Sequence, residues 1–343
     1  MSEEAPLIVP PEVALTAAAA DGRFLVMGQG ANLWFELGSE AGPTKAGPAK
    51  AGSTKSGSTK AGPTKAGPHA RDLIISFDNL ATIDEGWPRG PWAMRRLAPI
   101  GAAILGVQSH AKDWFRTPAA PDMLRALAAQ GFFDGFANIV MIGASMGGFA
   151  ALNFAPLVPR ARVIALSAQT SMSKHIAPFE ARFPFAVRKS NWDGQPFLDA
   201  AAAIPYIPSA ALLFDPFTPE DAKHAARMRA PHVQAIRLNH ATHEAIRVVM
   251  KAGAFQGLVQ DMLAYGQVTP QFWAQYRGRR SVPKWQKSLL LTGLERGHAR
   301  LVLRASNQVL AMAAAAGLPE EELTFARRAR REAQRQIDAQ AAK

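Results

Sequence analysis

Short apolar runs bounded by turn-forming residues recur along most of the chain. Such runs predict eight β-strands, at Arg23–Met27, Asn32–Leu37, Asp72–Phe77, Gly101–Val107, Ala137–Ile142, Ala161–Leu166, Ala210–Phe214 and Val233–Leu238. Helical patterns separate the later strands through short connections. This alternation predicts an α/β fold with a doubly wound, mostly parallel sheet, and the three consecutive strands at the start predict an antiparallel beginning.

Residues 41–70 interrupt this pattern between the second and third predicted strands. A five-residue repeat of Gly, Pro or Ser, Thr or Ala, Lys, and Ala or Ser places lysines at positions 45, 50, 55, 60 and 65. Almost nothing here is apolar beyond alanine, so burial cannot offset the entropy lost on ordering. We predict a disordered, expanded hairpin loop inside one domain, with residues 1–40 supplying the first two strands and 71–265 the rest of the core.

Two further segments depart from the regular alternation. Residues 168–208, here called the lid, are rich in proline and aromatic residues and are predicted to be irregular. Residues 266–343 are predicted to form a basic helical tail, with helices at Trp285–Leu294 and Ala299–Ala316 and a third beginning at Pro319. A long amphipathic helix is expected to precede the tail, starting near His243.

The composition excludes several classes of protein. The chain has 343 residues and no cysteine, which rules out disulfides, thiolate metal sites, a Cys nucleophile and iron–sulfur centres. The formal net charge is +12, but residues 41–70 carry +5 of it and residues 266–343 carry +8, whereas 71–265 carry only +4. We therefore do not expect nucleic acid as a partner, because the positive charge lies away from the predicted core.

The chain also lacks the marks of a membrane or secreted protein. No run of 18 apolar residues occurs, so we expect no transmembrane segment. The start Met-Ser-Glu-Glu has the wrong charge for a signal peptide. We expect a cytoplasmic protein that uses no cofactor and no metal.

The strongest motif lies between the fifth predicted strand and a helix. Residues 143–148 read Gly-Ala-Ser-Met-Gly-Gly, which is G-x-S-x-G followed by a second glycine. In such a nucleophile elbow the serine occupies a sharp turn that needs small neighbours, and the turn raises its hydroxyl above the sheet. We predict Ser145 as a nucleophile and the N–H of Met146 as one oxyanion donor.

With this motif after the fifth of eight strands, residues 23–260 resemble the α/β-hydrolase fold superfamily. The Asp-Pro at the end of the seventh strand is similar to that of uncharacterised bacterial hydrolase-like proteins. The resemblance implies an acid after the seventh strand, a histidine after the eighth, a lid after the sixth, and a second oxyanion donor in the turn after the third strand, at Asp78 or Asn79.

The acid and the base each have two candidates. Asp215 directly follows the seventh strand, and Asp221 lies six residues further on, where it also fits a capping box begun by Thr218. His243 stands at a helix start after the eighth strand, with His240 as its rival. We favour Asp215 and His243, and keep Asp221 and His240 as alternatives.

These residues predict a serine hydrolase or acyltransferase that cleaves an ester, thioester or amide of a small-molecule acyl substrate. The alternative is a non-catalytic hydrolase-like scaffold whose basic tail binds a protein or polyanion. The esterase His-Gly sequence is missing after the third strand, which is the feature that keeps this alternative open.

Overall fold

A computed structural model describes residues 22–38, 71–85, 89–194, 196–317 and 319–341. Its sheet has eight strands in the order β1-β2-β4-β3-β5-β6-β7-β8. The strands are β1 Arg23–Met27, β2 Ala31–Glu36, β3 Asp72–Phe77, β4 Ala103–Ser109, β5 Asn138–Ala144, β6 Arg162–Leu166, β7 Ala210–Phe214 and β8 Val233–Arg237. The first two pairings, β1 with β2 and β2 with β4, are antiparallel, and the remaining pairings are parallel.

The predicted fold class is thereby confirmed, while one predicted pairing is wrong. β2 pairs with β4 and not with β3, so the connection that contains the repeat passes across β4 and is not a hairpin loop. The register shows this directly, because Glu36 of β2 and Ile74 of β3 both lie opposite Ile104 of β4. The repeat itself, within 41–70, lies outside the described residues, and so does the predicted start of the chain before residue 22.

The described α-helices are interspersed among the strands and continue past the last one. They are α1 Leu80–Ile83, α2 Met94–Leu97, α3 Ala119–Ala129, α4 Met146–Phe154, α5 Pro184–Lys189, α6 Ala200–Ala203, α7 Pro219–Arg227, α8 Ala245–Lys251, α9 Phe255–Tyr265, α10 Pro270–Tyr276, α11 Pro283–Glu295, α12 Ala299–Ala315 and α13 Thr324–Ala341. Short 3₁₀ turns lie at Ala98–Ile100, Phe132–Gly135, Ala155–Leu157, Ile204–Tyr206, Arg277–Ser281 and Glu320–Leu323.

The long helix expected from His243 is divided in two. α8 ends at Lys251, and Gly253 adopts a φ of +77° before α9 begins at Phe255. A left-handed glycine is the usual way to end a helix. The short helices α5 and α6 lie within the lid, which is otherwise irregular as predicted.

The sheet separates two hydrophobic cores. Along β5, Ile139 and Met141 face the first core, which α3 and α4 cover, whereas Val140 and Ile142 face the second, which α8, α9 and α10 cover. This alternation follows from the two-residue period of a strand. Since both faces of β5 are buried, its sequence is a continuous apolar run.

The tail divides by its packing. Phe272, Tyr276 and Val282 belong to the second core of the sheet, so residues 266–282 pack with the body and not with the tail expected from position 266. From α11 onward, α11, α12 and α13 build a separate third core, whose buried members include Leu290 and Ala333. No helix in the described part of the chain is long and apolar enough to cross a membrane.

Candidate active site

Ser145 occupies a sharp turn between β5 and α4. Its backbone has φ 53° and ψ −116°, a conformation that costs a non-glycine residue on the order of 1–3 kcal/mol and is concentrated at functional sites. The turn is fixed by a hydrogen bond from the N–H of Ser145 to the carbonyl oxygen of Leu166 on the next strand, at 2.8 Å. The side chain is left only partly buried at the carboxyl edge of the sheet.

The three glycines around Ser145 are each required by a close approach. A Cβ on Gly143 would lie 2.2 Å from the backbone of Gly147, and a Cβ on Gly147 would lie 2.7 Å from the carbonyl oxygens of Phe77 and Asp78. A Cβ on Gly148 would lie 2.8 Å from Cβ of Ala168. The spacing in the sequence therefore reflects packing of the elbow between the ends of β3 and β6.

The hydroxyl of Ser145 lies beside the imidazole of His243, which comes from the loop after β8. Oγ of Ser145 lies 3.1 Å from Nε2 of His243. Nδ1 of His243 lies 2.9 Å from Oδ1 and 3.0 Å from Oδ2 of Asp221. With the Nδ1 proton donated to the carboxylate, Nε2 carries a lone pair toward the hydroxyl, which is the arrangement of a Ser-His-Asp triad.

Asp215, the acid favoured from the sequence, does not contact the imidazole. Its carboxylate accepts backbone hydrogen bonds from Phe217 at 2.9 Å, His240 at 3.2 Å and Thr242 at 2.7 Å. His240 and Thr242 both have positive φ, 67° and 62°, so Asp215 stabilises the strained loop that leads to His243. The assignment of Asp215 as the partner of the base is thus corrected in favour of its alternative, Asp221.

Asp221 is also not the capping residue that its position suggests. Thr218 precedes α7, but its side chain makes no capping hydrogen bond. The carboxylate of Asp221, fully buried, is turned toward His243. A residue in the first turn of α7 can reach the site because β7 and β8 are adjacent and parallel, so that their carboxyl ends carry α7 and the histidine loop side by side.

His240 is not part of the hydrogen-bonded chain from Ser145 through His243 to Asp221. Its ring stacks on Phe217, with centroids 4.6 Å apart. Burial lowers the pKa of His240, the charge of Asp215 opposes this, and Arg296 and Arg279 reinforce it. The geometry therefore favours a structural role for this residue beside the loop.

Two charged lid residues, Arg182 and Glu180, lie beside the hydrogen-bonded pair of His243 and Asp221. Arg182 Nη1 lies 2.9 Å from Oδ1 of Asp221 and 3.3 Å from Nδ1 of His243. Arg182 is in turn paired with the carboxylate of Glu180. Burial raises the pKa of Glu180, but hydrogen bonds from His224 and Arg182, together with the charge of Arg182, outweigh it and lower the pKa to about 2.

His224 completes this network as a neutral imidazole. The backbone N–H of Thr170 lies 3.0 Å from Nδ1 of His224, and because an amide N–H can only donate, Nδ1 must carry the lone pair. The proton then resides on Nε2, which lies 3.1 Å from Oε2 of Glu180. No pattern in the sequence marks His224, because its partners Thr170 and Glu180 come from the lid.

The proposed oxyanion donors fare differently. Met146 begins α4, so its N–H has no acceptor within the helix and remains a candidate. The N–H of Asp78 instead donates to the carbonyl of Val107 at 3.2 Å, and that of Asn79 donates to Oγ1 of Thr82 at 2.8 Å. Both amides expected from the sequence as oxyanion donors therefore already have an acceptor within the protein, one on β4 and one in α1.

The loop after β3 is held by other interactions as well. The buried carboxylate of Asp78 pairs with Arg89 at 2.5 Å and accepts the N–H of Ser109 at 3.1 Å. Burial raises the pKa of Asp78, while the charge and hydrogen bond of Arg89 lower it. Asn79 caps α1 by accepting the N–H groups of Ala81 and Thr82.

Gln169 is a neighbour of Ser145 that the sequence did not single out. Its Nε2 lies 3.3 Å from Oγ of Ser145, and its Oε1 accepts the indole N–H of Trp114 at 3.0 Å. No motif marks Gln169 or Trp114, because both lie in irregular segments after β6 and β4.

In the described part of the chain, no group of three or more His, Asp and Glu side chains is placed to hold a metal ion.

The sheet order, the elbow after β5 and the acid and histidine after β7 and β8 define the α/β-hydrolase fold. No protein-family model matches the chain, and no curated protein matches it.

Solved structures of similar architecture include two esterases and an acetyltransferase. The capsule O-acetyltransferase of Neisseria meningitidis serogroup A is 9% identical, with 69% of this chain and 93% of that chain covered and a TM-score of 0.42. An esterase from Pyrobaculum calidifontis is 14% identical, with 70% and 82% covered and a TM-score of 0.44. Carboxyl esterase 2 of the fungus Tuber melanosporum is 13% identical, with 76% and 88% covered and a TM-score of 0.40. Similarity at this level carries no argument about activity.

Proposed function

We propose that the protein is a serine hydrolase or acyltransferase that cleaves an ester, thioester or amide through an acyl-enzyme on Ser145. The observation that carries this proposal is the continuous chain from Oγ of Ser145 through His243 to Asp221, with separations of 3.1 and 2.9 Å. The serine stands at an elbow whose backbone is strained, as is common at functional sites.

In the first half of the reaction, Oγ of Ser145 attacks the acyl carbon while its proton passes to Nε2 of His243. The carbonyl π electrons move to oxygen, where the N–H of Met146 stabilises the charge. Asp221 holds the imidazolium and fixes its orientation. Collapse of the tetrahedral intermediate expels the alcohol, thiol or amine, which takes the proton from His243. Water or an acceptor alcohol then repeats these steps on the acyl-enzyme.

The lid supplies an electrostatic adjustment to this scheme. Arg182 places a positive charge beside the same imidazole that must become positive, and Glu180 compensates that charge from 2.5 Å. Because Glu180 has a lowered pKa of about 2, it stays ionised at neutral pH and the compensation persists during the reaction.

A fluorophosphonate probe tests the proposal, because only an activated serine reacts with it. Wild-type protein should be labelled and should hydrolyse p-nitrophenyl acetate, while Ser145→Ala should lose both, with activity falling by about a thousandfold or more. Ser281→Ala is a matched control, because Ser281 is exposed and its hydroxyl donates to the carbonyl oxygen of Gly278, far along the chain from the elbow. Absence of labelling in the wild type would support a non-catalytic scaffold.

A further inference from the structure

The turn after β3, where a second oxyanion donor is expected, offers no free amide at Asp78 or Asn79. The amides of Asp78 and Asn79 both donate elsewhere, at 3.2 and 2.8 Å. One backbone N–H, that of Met146, is left at the start of α4. A single donor stabilises a tetrahedral oxyanion incompletely, since losing one donor typically costs about 100- to 1000-fold in kcat.

Gln169 stands where a replacement donor is needed. Its side chain is fully buried, and a buried amide is expected to satisfy its hydrogen bonds. Nε2 lies 3.3 Å from Oγ of Ser145. The preceding residue, Ala168, lies against Gly148 in the first turn of α4, so Gln169 enters the site beside the amino end of the same helix that begins with Met146.

Trp114 fixes the orientation of the side-chain amide of Gln169. An indole N–H is only a donor, so the amide atom 3.0 Å from Nε1 of Trp114 must be the oxygen of Gln169. Both amide atoms lie near Oγ of Ser145, Oε1 at 3.4 Å and Nε2 at 3.3 Å, and only Nε2 can donate a hydrogen bond. Trp114 itself is fully buried and held by Phe183 and Phe185, with ring centroids at 5.1 and 6.2 Å.

The Trp114–Gln169 hydrogen bond joins residues from opposite sides of the elbow strand β5. Trp114 follows β4, on the β3 side of β5, whereas Gln169 follows β6 and His243 follows β8 on the other side. The bond therefore holds the amide at the carboxyl end of β5, where Ser145 lies.

We propose that the side-chain amide of Gln169 is the second oxyanion donor, and this inference rests on the proposed function of Ser145. Nε2–H contacts Oγ before the reaction. As the bond from Oγ to the acyl carbon forms and the π electrons move to the carbonyl oxygen, the same N–H donates to that oxygen. Gln169 exchanges no proton, and Trp114 is a positioning residue that holds the amide.

The test compares Gln169→Met, which keeps the length and removes the donor, with the wild type on p-nitrophenyl acetate. We expect kcat to fall by about 100- to 1000-fold with KM within about threefold, because the interaction is made in the transition state. Affinity for a trifluoromethyl ketone, which forms a hemiketal oxyanion on Ser145, should fall in parallel. A purely structural role would lower the melting temperature and leave the affinity of the correctly folded fraction unchanged.

Two further variants keep the test decisive. Gln169→Glu should be at least as impaired as Gln169→Met, because a carboxylate would repel the oxyanion. Trp114→Phe keeps an aromatic ring but removes the indole N–H, so the amide is free to turn and kcat should fall by about tenfold, at the cost of one hydrogen bond. If Gln169→Met fails to fold, the Trp114→Phe result decides in its place.

The outcomes separate this inference from the proposed function. If wild-type protein is labelled by the fluorophosphonate but Gln169→Met retains full kcat and inhibitor affinity, the second donor is a backbone amide after β3 and the inference is wrong. If the wild type is neither labelled nor active, the proposed function itself fails, and the Gln169 inference fails with it.

Discussion

Arg182 donates to Oδ1 of Asp221 at 2.9 Å, and Nδ1 of His243 approaches the same oxygen at the same distance. A carboxylate that is to hold an imidazolium is therefore shared with a permanent cation from the lid. Glu180 pairs with that cation on its other side. The charge balance of the site consequently depends on a segment that is not part of the sheet.

The two aspartates after β7 should separate cleanly on mutation. Asp221→Asn should lower kcat by about 10,000-fold, because the amide no longer fixes the imidazole with its proton on Nδ1. Asp215→Asn should instead lower the free energy of unfolding by about 1–3 kcal/mol, since His240 and Thr242 donate to different carboxylate oxygens and the amide NH₂ that replaces one of these oxygens cannot accept. Turnover and chemical denaturation of both variants provide the measurement. The opposite ranking would restore Asp215 as the partner of His243.

Glu180 should make the fold sensitive to acid. Its pKa is lowered from 4.5 to about 2, so the unfolded chain binds the proton more readily and stability rises with pH across this interval. The contribution, on the order of 3 kcal/mol, is present above about pH 4.5 and is lost as pH falls toward 2. Melting temperatures of wild type and Glu180→Gln between pH 6 and 3 should converge on acidification. Glu85→Gln, at an exposed carboxylate, should keep the wild-type slope.

Glu180→Gln should also affect turnover at neutral pH. Without Glu180, the charge of Arg182 acts uncompensated on an imidazole that becomes positive in the transition state. At an effective dielectric constant of about 20, a unit charge several ångströms away opposes this by a few kcal/mol, so we expect kcat to fall by about ten- to a hundredfold. Steady-state kinetics at pH 7.5 measure this effect, and an unchanged kcat would show that Arg182 is neutralised by other groups.

The tail should contribute to activity through the loop that carries His243. Trp285 of α11 donates its indole N–H to the carbonyl of Asn239 at 2.8 Å, and α11 and α12 enclose with Phe217 and His240 a cavity of about 210 Å³. Trp285→Phe should lower kcat by about two- to tenfold, as expected for one lost hydrogen bond. Trp273→Phe, at a partly exposed ring of α10, is the control and should behave as wild type. Equal kinetics for both variants would assign the tail to another purpose.

The repeat should be dispensable for folding. Deleting residues 44–66 leaves twelve residues between Glu36 and Asp72, enough to span about 40 Å when extended. The distance from β2 to β3 is only about 10 Å, because Glu36 and Ile74 flank Ile104 on the two sides of β4 and adjacent strands are about 4.8 Å apart. Thermal unfolding and ester hydrolysis of the deletion variant should match the wild type, and a large loss of stability would show that the segment contributes to the fold.

Features that depend on local spacing were predictable from the amino-acid sequence. Apolar runs and turn residues located all eight strands to within about two residues, since strand burial leaves a continuous apolar signature. The elbow was predictable because Gly143, Gly147 and Gly148 are required by contacts of the turn itself. His243 was predictable as a candidate because it stands just before a helix in the loop after β8, and its Nε2 lies 3.1 Å from Oγ of Ser145.

Contacts between residues that are distant in the sequence became evident only in the folded chain. Asp215 and Asp221 both follow β7, and the choice between them depends on how the histidine loop lies beside α7, which no local pattern encodes. The pairing of β2 with β4 was missed because strand order is set by packing of the whole sheet and not by order along the chain. Gln169, Glu180 and Arg182 come from irregular segments without periodicity, and they acquire a role only because the lid folds back over the carboxyl edge of the sheet, where burial makes their hydrogen bonds obligatory.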